Sequence, residues 1–431
     1  MAGFGSSIGL LKDREFAALA GTAFARSQAY STILIALALY ADAFGTSGFV
    51  EGLFGTAFAI VQLFVVLPLG RKVDTGNAKL FLLAGFLINV GVFVGFILVQ
   101  NSIHVVLVRM LQGLGASVLW ITGSTIVGEI SPDGERGRWL GSYNQFASFS
   151  SLAGDVVGGY LLYAHGFTTT YVVLSGVTLG AFVLVFGFLR DNPGGRKDPD
   201  EAGGVETFRD LLDLPMLRAL IVFRFTFSVG KMAVIIFLPI YARTSFGISA
   251  FAIGWIMAGG KLTKALTQGF VGDLTDRLGH KHYFVAVGAI LYGLGTGLIP
   301  LAAYFEGRIE PYHVSFFGDS MVLGGAFFAL FSAYAVLGLA DSIRLPASMA
   351  LFVEEGEAYD SVASSMSLRS LSWKIGQVTG PVLVGTTMDF VSTEAGFLLA
   401  AGFIVFATGG FTVMASRART TGTSGEPIPG D

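Results

Sequence analysis

The chain contains no cysteine, so it can build no disulfide, thiol nucleophile, iron–sulfur centre or cysteine zinc site. Histidine is almost as scarce. Three of the five sit at His280, His282 and His313, and none falls in a metal-binding spacing such as H-E-x-x-H, so no metal and no cofactor is expected. No G-x-x-x-x-G-K-[ST] loop is present, which leaves no nucleotide to drive work. Residues 1–15 end in Lys12-Asp13-Arg14-Glu15 and lack a basic segment followed by an apolar one, so no cleaved signal peptide is expected. The scarcest commodity is charge. Only 13% of the 431 residues are charged, about half of what an average soluble domain carries. A net charge of −3 gives no basic footprint for nucleic acid.

What the chain has instead is apolar length. Hydrophobic residues make up 53% and the mean hydropathy is +0.69. Its 59 glycines are about twice ordinary usage and suit close helix packing in lipid. A spanning helix needs about 20 mostly apolar residues. Twelve such runs occur, at 17–41, 50–69, 79–100, 104–128, 139–163, 170–189, 216–241, 248–271, 282–304, 321–351, 364–387 and 395–415. The fold class expected is therefore an all-α polytopic membrane protein with the lipid bilayer as its surroundings. Basic residues in short loops mark the cytoplasmic side. Lys12 and Arg14, Arg71, Lys72 and Lys79, Arg136 and Arg138, Arg277 and Lys281, and Arg417 and Arg419 all fall on one side. Both termini are thus expected in the cytoplasm, and the protein in the cell (inner or plasma) membrane.

The longest polar stretch, 190–215, divides two sets of six runs, giving bundles at 1–189 and 216–416, a cytoplasmic linker between them and a disordered tail at 417–431. The two sets resemble each other. Gly70-x-x-x-Asp74 after the second run recurs as Gly272-x-x-x-Asp276 after the eighth, both residues displaced by 202. Gly113 and Glu129 match Gly338 and Glu354 at a displacement of 225, and Gly154 matches Gly380 at 226. The longer segment 305–319 explains the jump. Internal repeats of six helices place a substrate site between the halves near mid-membrane.

These motifs resemble the major facilitator superfamily, over all twelve runs. Its loop motif G-x-x-x-D-R-x-G-R-[RK] is similar to Gly272-Asp-Leu-Thr-Asp276-Arg277-Leu-Gly279-His-Lys281, with a shorter copy at Gly70-Arg-Lys-Val-Asp74-Thr-Gly76-Asn-Ala-Lys79. Arg109-x-x-Gln112-Gly113-x-Gly115 in the fourth run resembles the R-x-x-q-G motif of the drug and organic-solute proton antiporter branch. That branch also has G-x-x-x-G-P-x-x-G-G in the fifth helix, where this chain reads Ser150-x-x-x-Gly154-Asp155-x-x-Gly158-Gly159; the proline form stands in the eleventh run, at Gly376-x-x-x-Gly380-Pro381. The resemblance implies the major facilitator fold, two pseudo-symmetric six-helix bundles. It implies secondary active transport of a small solute by alternating access, with no enzymatic activity.

Charges inside the apolar runs sharpen the expectation. A mid-bilayer charge costs roughly 2.5–3.5 kcal/mol on insertion scales and is usually functional or paired. Runs one, four, five, seven, eight, ten and eleven carry Arg26, Arg109, Asp155, Arg224, Lys231, Lys261, Lys264, Asp341, Arg344, Arg369 and Lys374; runs three, six, nine and twelve carry none in their cores. In the family fold those four runs are peripheral. Nine cations against two acids describe a positive cavity and an anionic or amphiphilic solute. Arg26, Tyr30, Arg109, Arg224, Lys231 and Arg344 are the substrate-binding candidates. Each cation could instead snorkel to the interface or sit in a structural pair. Arg109 could be a hub tying helix four to helix one; Arg369, near its helix start, fits a structural role better, and Lys374 fits either role equally. Asp155 and Asp341 are the proton-coupling candidates. Asn144, Ser148, Ser151 and Asp155 form one helical stripe ending at the acid, which could equally be a fixed partner of Arg109 or Arg26; Asp341 and Arg344 are i, i+3 and could satisfy each other. Gly70, Asp74, Gly272, Asp276 and Arg277 are the gating candidates, a latch made in one conformation and broken in the other, or else plain topology signals.

The function expected is proton-coupled efflux, with protons or another ion as the coupling partner and no obligate protein partner evident. Organic-anion uptake by symport and a lipid flippase on the same fold are the alternatives. A polytopic membrane enzyme is the remote one, since no nucleophile–base set stands out.

Overall fold

With no water in the hydrocarbon core, a spanning backbone must satisfy its own hydrogen bonds, and a helix does so within one segment. The apolar runs fold accordingly. The computed structural model describes residues 7–132, 134–191, 193, 212–316, 319–358 and 362–422, with the side chains of 67, 74, 276, 316, 319–320, 362–363 and 418–422 outside the description. In chain order the helices are α1 (Arg14–Phe44), α2 (Gly48–Thr75), α3 (Ala78–Ile97) and α4 (Ser102–Ile130). The next helical stretch, Arg136–Phe188, is interrupted at Gly166 (φ 71°), which parts it into α5 (136–165) and α6 (167–188). The second half follows with α7 (Pro215–Phe246), α8 (Ala250–Leu278), α9 (Lys281–Leu298), α10 (Gly325–Glu357), α11 (Val362–Phe390) and α12 (Thr393–Gly422). Most of the linker 190–215 lies outside the described residues. Helix α12 continues to Gly422, past the expected start of the tail at 417, and residues 423–431 are not described.

The repeat is visible in the chain's corners. Helix α1 stops at Gly45 (φ 55°) and α7 at Gly247 (φ 63°), both left-handed caps a side chain would strain. Two residues on, Ser47 and Ser249 stand at the starts of α2 and α8. Among the described residues, eight continuous helices are long and apolar enough to cross a membrane. The three that fall short, α1, α8 and α11, carry Arg26, Lys261, Lys264, Arg369 and Lys374 together with many Ser, Thr and Gln residues.

Packing repeats too. Helix α1 lies on α5, with Gly154 against the backbone of Gln28; α7 lies on α11, with Gly380 against Val229. Helix α2 packs on α4 as α8 packs on α10, and the halves meet along α2–α11, α5–α8 and α1–α7. The charge-poor α3, α6, α9 and α12 turn apolar ladders outward: Leu80, Leu87 and Val94; Val172, Leu179 and Val183; Val287, Ile290 and Leu294; Leu398, Val405 and Val413. Those faces suit lipid.

Because the helices alternate in direction, both ends of the described chain lie on one face, here the terminal face. The α1–α2 and α7–α8 turns lie on the far face. There α9 ends in a 3-10 turn (Ile299–Leu301) and a last helical turn (Ala302–Phe305). A hairpin follows, β1 (Tyr312–Phe316) antiparallel to β2 (Asp319–Leu323), with Tyr312 opposite Leu323. The tenth run was expected from 321, yet α10 begins only at Gly325. A short apolar string such as Met321–Leu323 reads alike in strand and helix, and pairing with β1 decides for the strand. On the terminal face, Arg190 donates to Glu15 in the first turn of α1, through Nε at 2.8 and 2.9 Å, and this bond holds the Glu15 carboxyl below the usual carboxylate range.

Candidate substrate cavity

The helices that bound the interior each bring residues spaced by about one turn. From α1 come Arg26 and Tyr30, from α2 Phe58 and Gln62, and from α4 Ala116 and Trp120. From α7 come Arg224, Met232 and Ile235. Helix α11 contributes most, with Arg369, Ser370, Trp373, Lys374 and Gln377 along one face. Together they enclose about 410 Å³. Four cations line this space and, among the described residues, no acid does. Arg224 is posed rather than free: its Nε donates to the Arg369 carbonyl at 2.9 Å, and its guanidinium stacks 4.7 Å over Trp373. Its NH1 and the Arg369 Nε are buried without a hydrogen-bond partner among the described residues, and Arg26 lies beside the Tyr143 hydroxyl.

The structure gathers only three of the six expected substrate-binding residues, Arg26, Tyr30 and Arg224, at this cavity. Arg109 is 1% exposed and turned away from it. Its Nε donates to the Phe54 carbonyl at 2.7 Å, its NH1 to Gln112 Oε1 at 2.5 Å, and Phe58 lies 4.5 Å from the guanidinium. It is a hub, as one reading allowed, but it ties α4 to α2 rather than to α1. Lys231 and Arg344 close instead on Asp341: the ammonium pairs with Oδ2 and Arg344 NH2 donates to Oδ1 at 2.9 Å. Arg344 also stacks 3.9 Å over Phe227 and is fully buried. This triad binds α7 to α10 inside the second half. A charge held twice is a poor proton carrier, so Asp341 reads as structural.

Asp155 has a different partner from those expected. Its Oδ2 lies 2.6 Å from the Lys261 ammonium on α8, across the boundary between the halves. Lys261 also donates to Ser31 Oγ and Ser151 Oγ, each at 2.8 Å, and these two hydroxyls bond each other at 2.7 Å. The α5 stripe therefore delivers Ser151 and Asp155 to a lysine of the opposite half. Sequence reasoning named Lys261 only as an interior charge. It also left Arg369 and Lys374 undecided, although Arg369, Ser370, Trp373, Lys374 and Gln377 share one helical face, a signal that was there to find.

The halves touch on the far-face side of this centre. Asp389 of α11 accepts from the first backbone N–H groups of α2, Gly48 at 2.6 Å and Phe49 at 2.8 Å. Ser47 makes no side-chain cap there, so the other half caps α2. Arg243 Nε meets Asp42 at 2.7 Å, and Thr56 donates to the Val378 carbonyl at 2.6 Å. Lys374 bonds Gln62 from the cavity floor. On the terminal side the expected latch residues stand apart. Nothing lies within 4 Å of where a side chain on Gly70 or Gly272 would begin, and Arg277 pairs with Asp273 at 2.7 Å on its own helix. The side chains of Asp74 and Asp276 lie outside the described residues. The cavity is shut toward the far face and open toward the terminal face.

A family profile for the Major Facilitator Superfamily matches residues 19–244 and again 220–427. The multidrug resistance protein MdtG of Klebsiella pneumoniae (strain 342) is 27% identical over 398 residues, 89% of each chain. The riboflavin transporter RibZ of Clostridioides difficile (strain 630) is 22% identical over 65% of this chain and 79% of its own. A crystal structure of a bacterial homologue of the human lysosomal transporter Spinster, inward-facing and unoccupied, superposes with a TM-score of 0.75 at 15% identity, over 96% of this chain and 98% of that one.

Proposed function

The chain belongs to the major facilitator superfamily and is a secondary transporter of a small solute, not an enzyme; on that footing we propose that it exports an organic anion across the cell membrane in exchange for protons. The observation that carries the reading is the cavity wall, with Arg26, Arg224, Arg369 and Lys374 and no acid among the described residues. Aromatic side chains beside those cations, Trp120 and Trp373 above all, suit an amphiphilic solute with an apolar body. The basic loops on the terminal face support a cytoplasmic position for both termini, so the present opening faces inward and would take its cargo from the cell.

Asp155 supplies the coupling. Ionised, it draws Lys261 across the boundary and holds the far-face side closed. Outward opening parts the pair, and Asp155 takes a proton from water on the far side. Closing again requires that proton to leave toward the terminal side, where the pair re-forms. Lys261, its side chain 28% exposed while Asp155 is fully buried, is the more accessible member of the pair. Gly70, Asp74, Gly272, Asp276 and Arg277 act in the opposite, outward-open state.

The test is transport in proteoliposomes under an imposed pH difference. Asp155→Asn is expected to abolish pH-driven accumulation of an organic anion yet preserve its exchange between equal compartments. If Asp155→Asn still concentrates the anion when only a pH difference is supplied, the acid is a fixed counter-ion. Accumulation of the anion on the alkaline side of the wild-type membrane, with solute and proton moving together, would make the protein a symporter.

A further inference from the structure

The cavity says more than the sign of its cargo, and the further step rests on the anion reading above. Buried nitrogens on Arg224 and Arg369 have no acceptor among the described residues, while Arg26 lies within reach of the Tyr143 hydroxyl. A buried donor left unmade is costly, more so when charged. Arg224 is 7% exposed and cannot swing to water, because its Nε is tied to the Arg369 carbonyl and its plane rests on Trp373. The open acceptor positions are therefore built into the wall. The cations of that wall come from both halves: Arg26 is on α1, Arg224 on α7 and Arg369 on α11.

We propose that the substrate is an aromatic dianion, a flat apolar body bearing two anionic groups that engage Arg26 on one half and the Arg224–Arg369 pair on the other. One carboxylate offers two oxygens at a single place and leaves one wall unanswered. Four like charges on the wall also repel one another as the halves approach at the terminal face, and a single negative charge offsets little of that. A dianion bridging the walls turns the repulsion into attraction, so the same contact that recognises the solute drives closure over it. Trp120 on α4 and Trp373 on α11 provide the aromatic faces, one from each half. A volume of about 410 Å³ has room for a bicyclic ring with two small substituents.

Binding to the purified full chain, followed by calorimetry at pH 7.5, tests this with three probes: 2,6-naphthalenedicarboxylate, 2-naphthoate and 2-naphthyltrimethylammonium. The dicarboxylate is expected to bind at least tenfold more tightly than the monoacid. Arg26→Gln and Arg224→Gln are each expected to erase most of that preference. Arg224→Lys, which keeps the charge, controls for folding and should retain part of it. With spin labels on cysteines introduced at Arg138 and Leu278, both well exposed at the terminal ends of α5 and α8, in a chain that has no cysteine of its own, the dicarboxylate should shorten the distance across the terminal face and the monoacid should not. Equal affinity for the two acids would overturn the dianion while leaving anion export standing. Preference for the ammonium probe would overturn both.

Discussion

The helices that join the two halves behave oppositely at their two ends. Toward the far face, α5 meets α8 backbone to backbone: a Cβ on Gly159 would stand 2.8 Å from the Ala250 carbonyl oxygen, and one on Gly254 would run into the Asp155 carbonyl. There α2 meets α11 likewise, with Gly52 pressed on Pro381 and Gly48 on Gly385. Toward the terminal face the same helices carry Gly70, Gly141, Gly269 and Gly272, and nothing approaches any of them within 4 Å of a Cβ position. Glycine placed for close contact has its contact at one end only. The unused set leaves the terminal ends free to approach in a second conformation of the kind alternating access requires. Closure at the far face is also polar, through Asp389 on α2, Arg243 on Asp42 and Lys261 on Asp155.

The largest way to disturb this balance is steric. Gly254→Val puts a branched side chain where the Asp155 carbonyl stands, so it should force the far-face side apart. Cysteines introduced on that side, for instance at Ala250, should react with a membrane-impermeant maleimide more than tenfold faster than in the parent. Unchanged reactivity would mean that the α5–α8 contact does not hold the state. A smaller effect is expected from Asp389→Ala, which strips α2 of its cap. Caps are worth about 1 kcal/mol, so the same labelling rate should rise several-fold, with Asp389→Asn in between. The smallest effect on the present conformation is expected from Asp276→Asn. No neighbour lies within 4 Å of a Cβ position on Gly272 in the same helix end, so far-face labelling and equilibrium solute affinity should stay within a few-fold of the parent, while transport turnover slows. A mutant with a normal turnover rate would remove the latch.

The legible part of the molecule was the part that lipid dictates. Apolar length placed all twelve helices to within a few residues at most ends. Charge-free runs three, six, nine and twelve correctly marked the surfaces that show Leu87, Leu179, Ile290 and Val405 outward. The Gly70 and Gly272 repeat anticipated a symmetry that reappears in Gly45 and Gly247. Within the site the reading divided. Arg26, Tyr30 and Arg224 do reach one cavity. Arg109, Lys231 and Arg344 do not, because an interior charge is expensive whether it serves a solute or a neighbour, and composition cannot tell the two apart. The i, i+3 spacing of Asp341 and Arg344 hinted at their pair; nothing in the sequence hinted that Lys231, 110 residues away, would close on the same carboxylate.

Hydropathy, charge placement and the internal repeat by themselves determined a two-part bundle with a positively charged interior, because the bilayer penalises every exposed polar group and leaves few arrangements standing. The tertiary structure alone decided who meets whom across the boundary: Lys261 with Asp155, Asp389 with the start of α2, and Arg224 with the backbone of Arg369. Such pairings depend on the rotation and depth of helices far apart in the chain, set by glycine contacts such as Gly254 on Asp155 and Gly380 on Val229. Periodicity along one helix carries no information about its azimuth against another. That azimuth is what separates a cation that awaits a solute from one that is already paired.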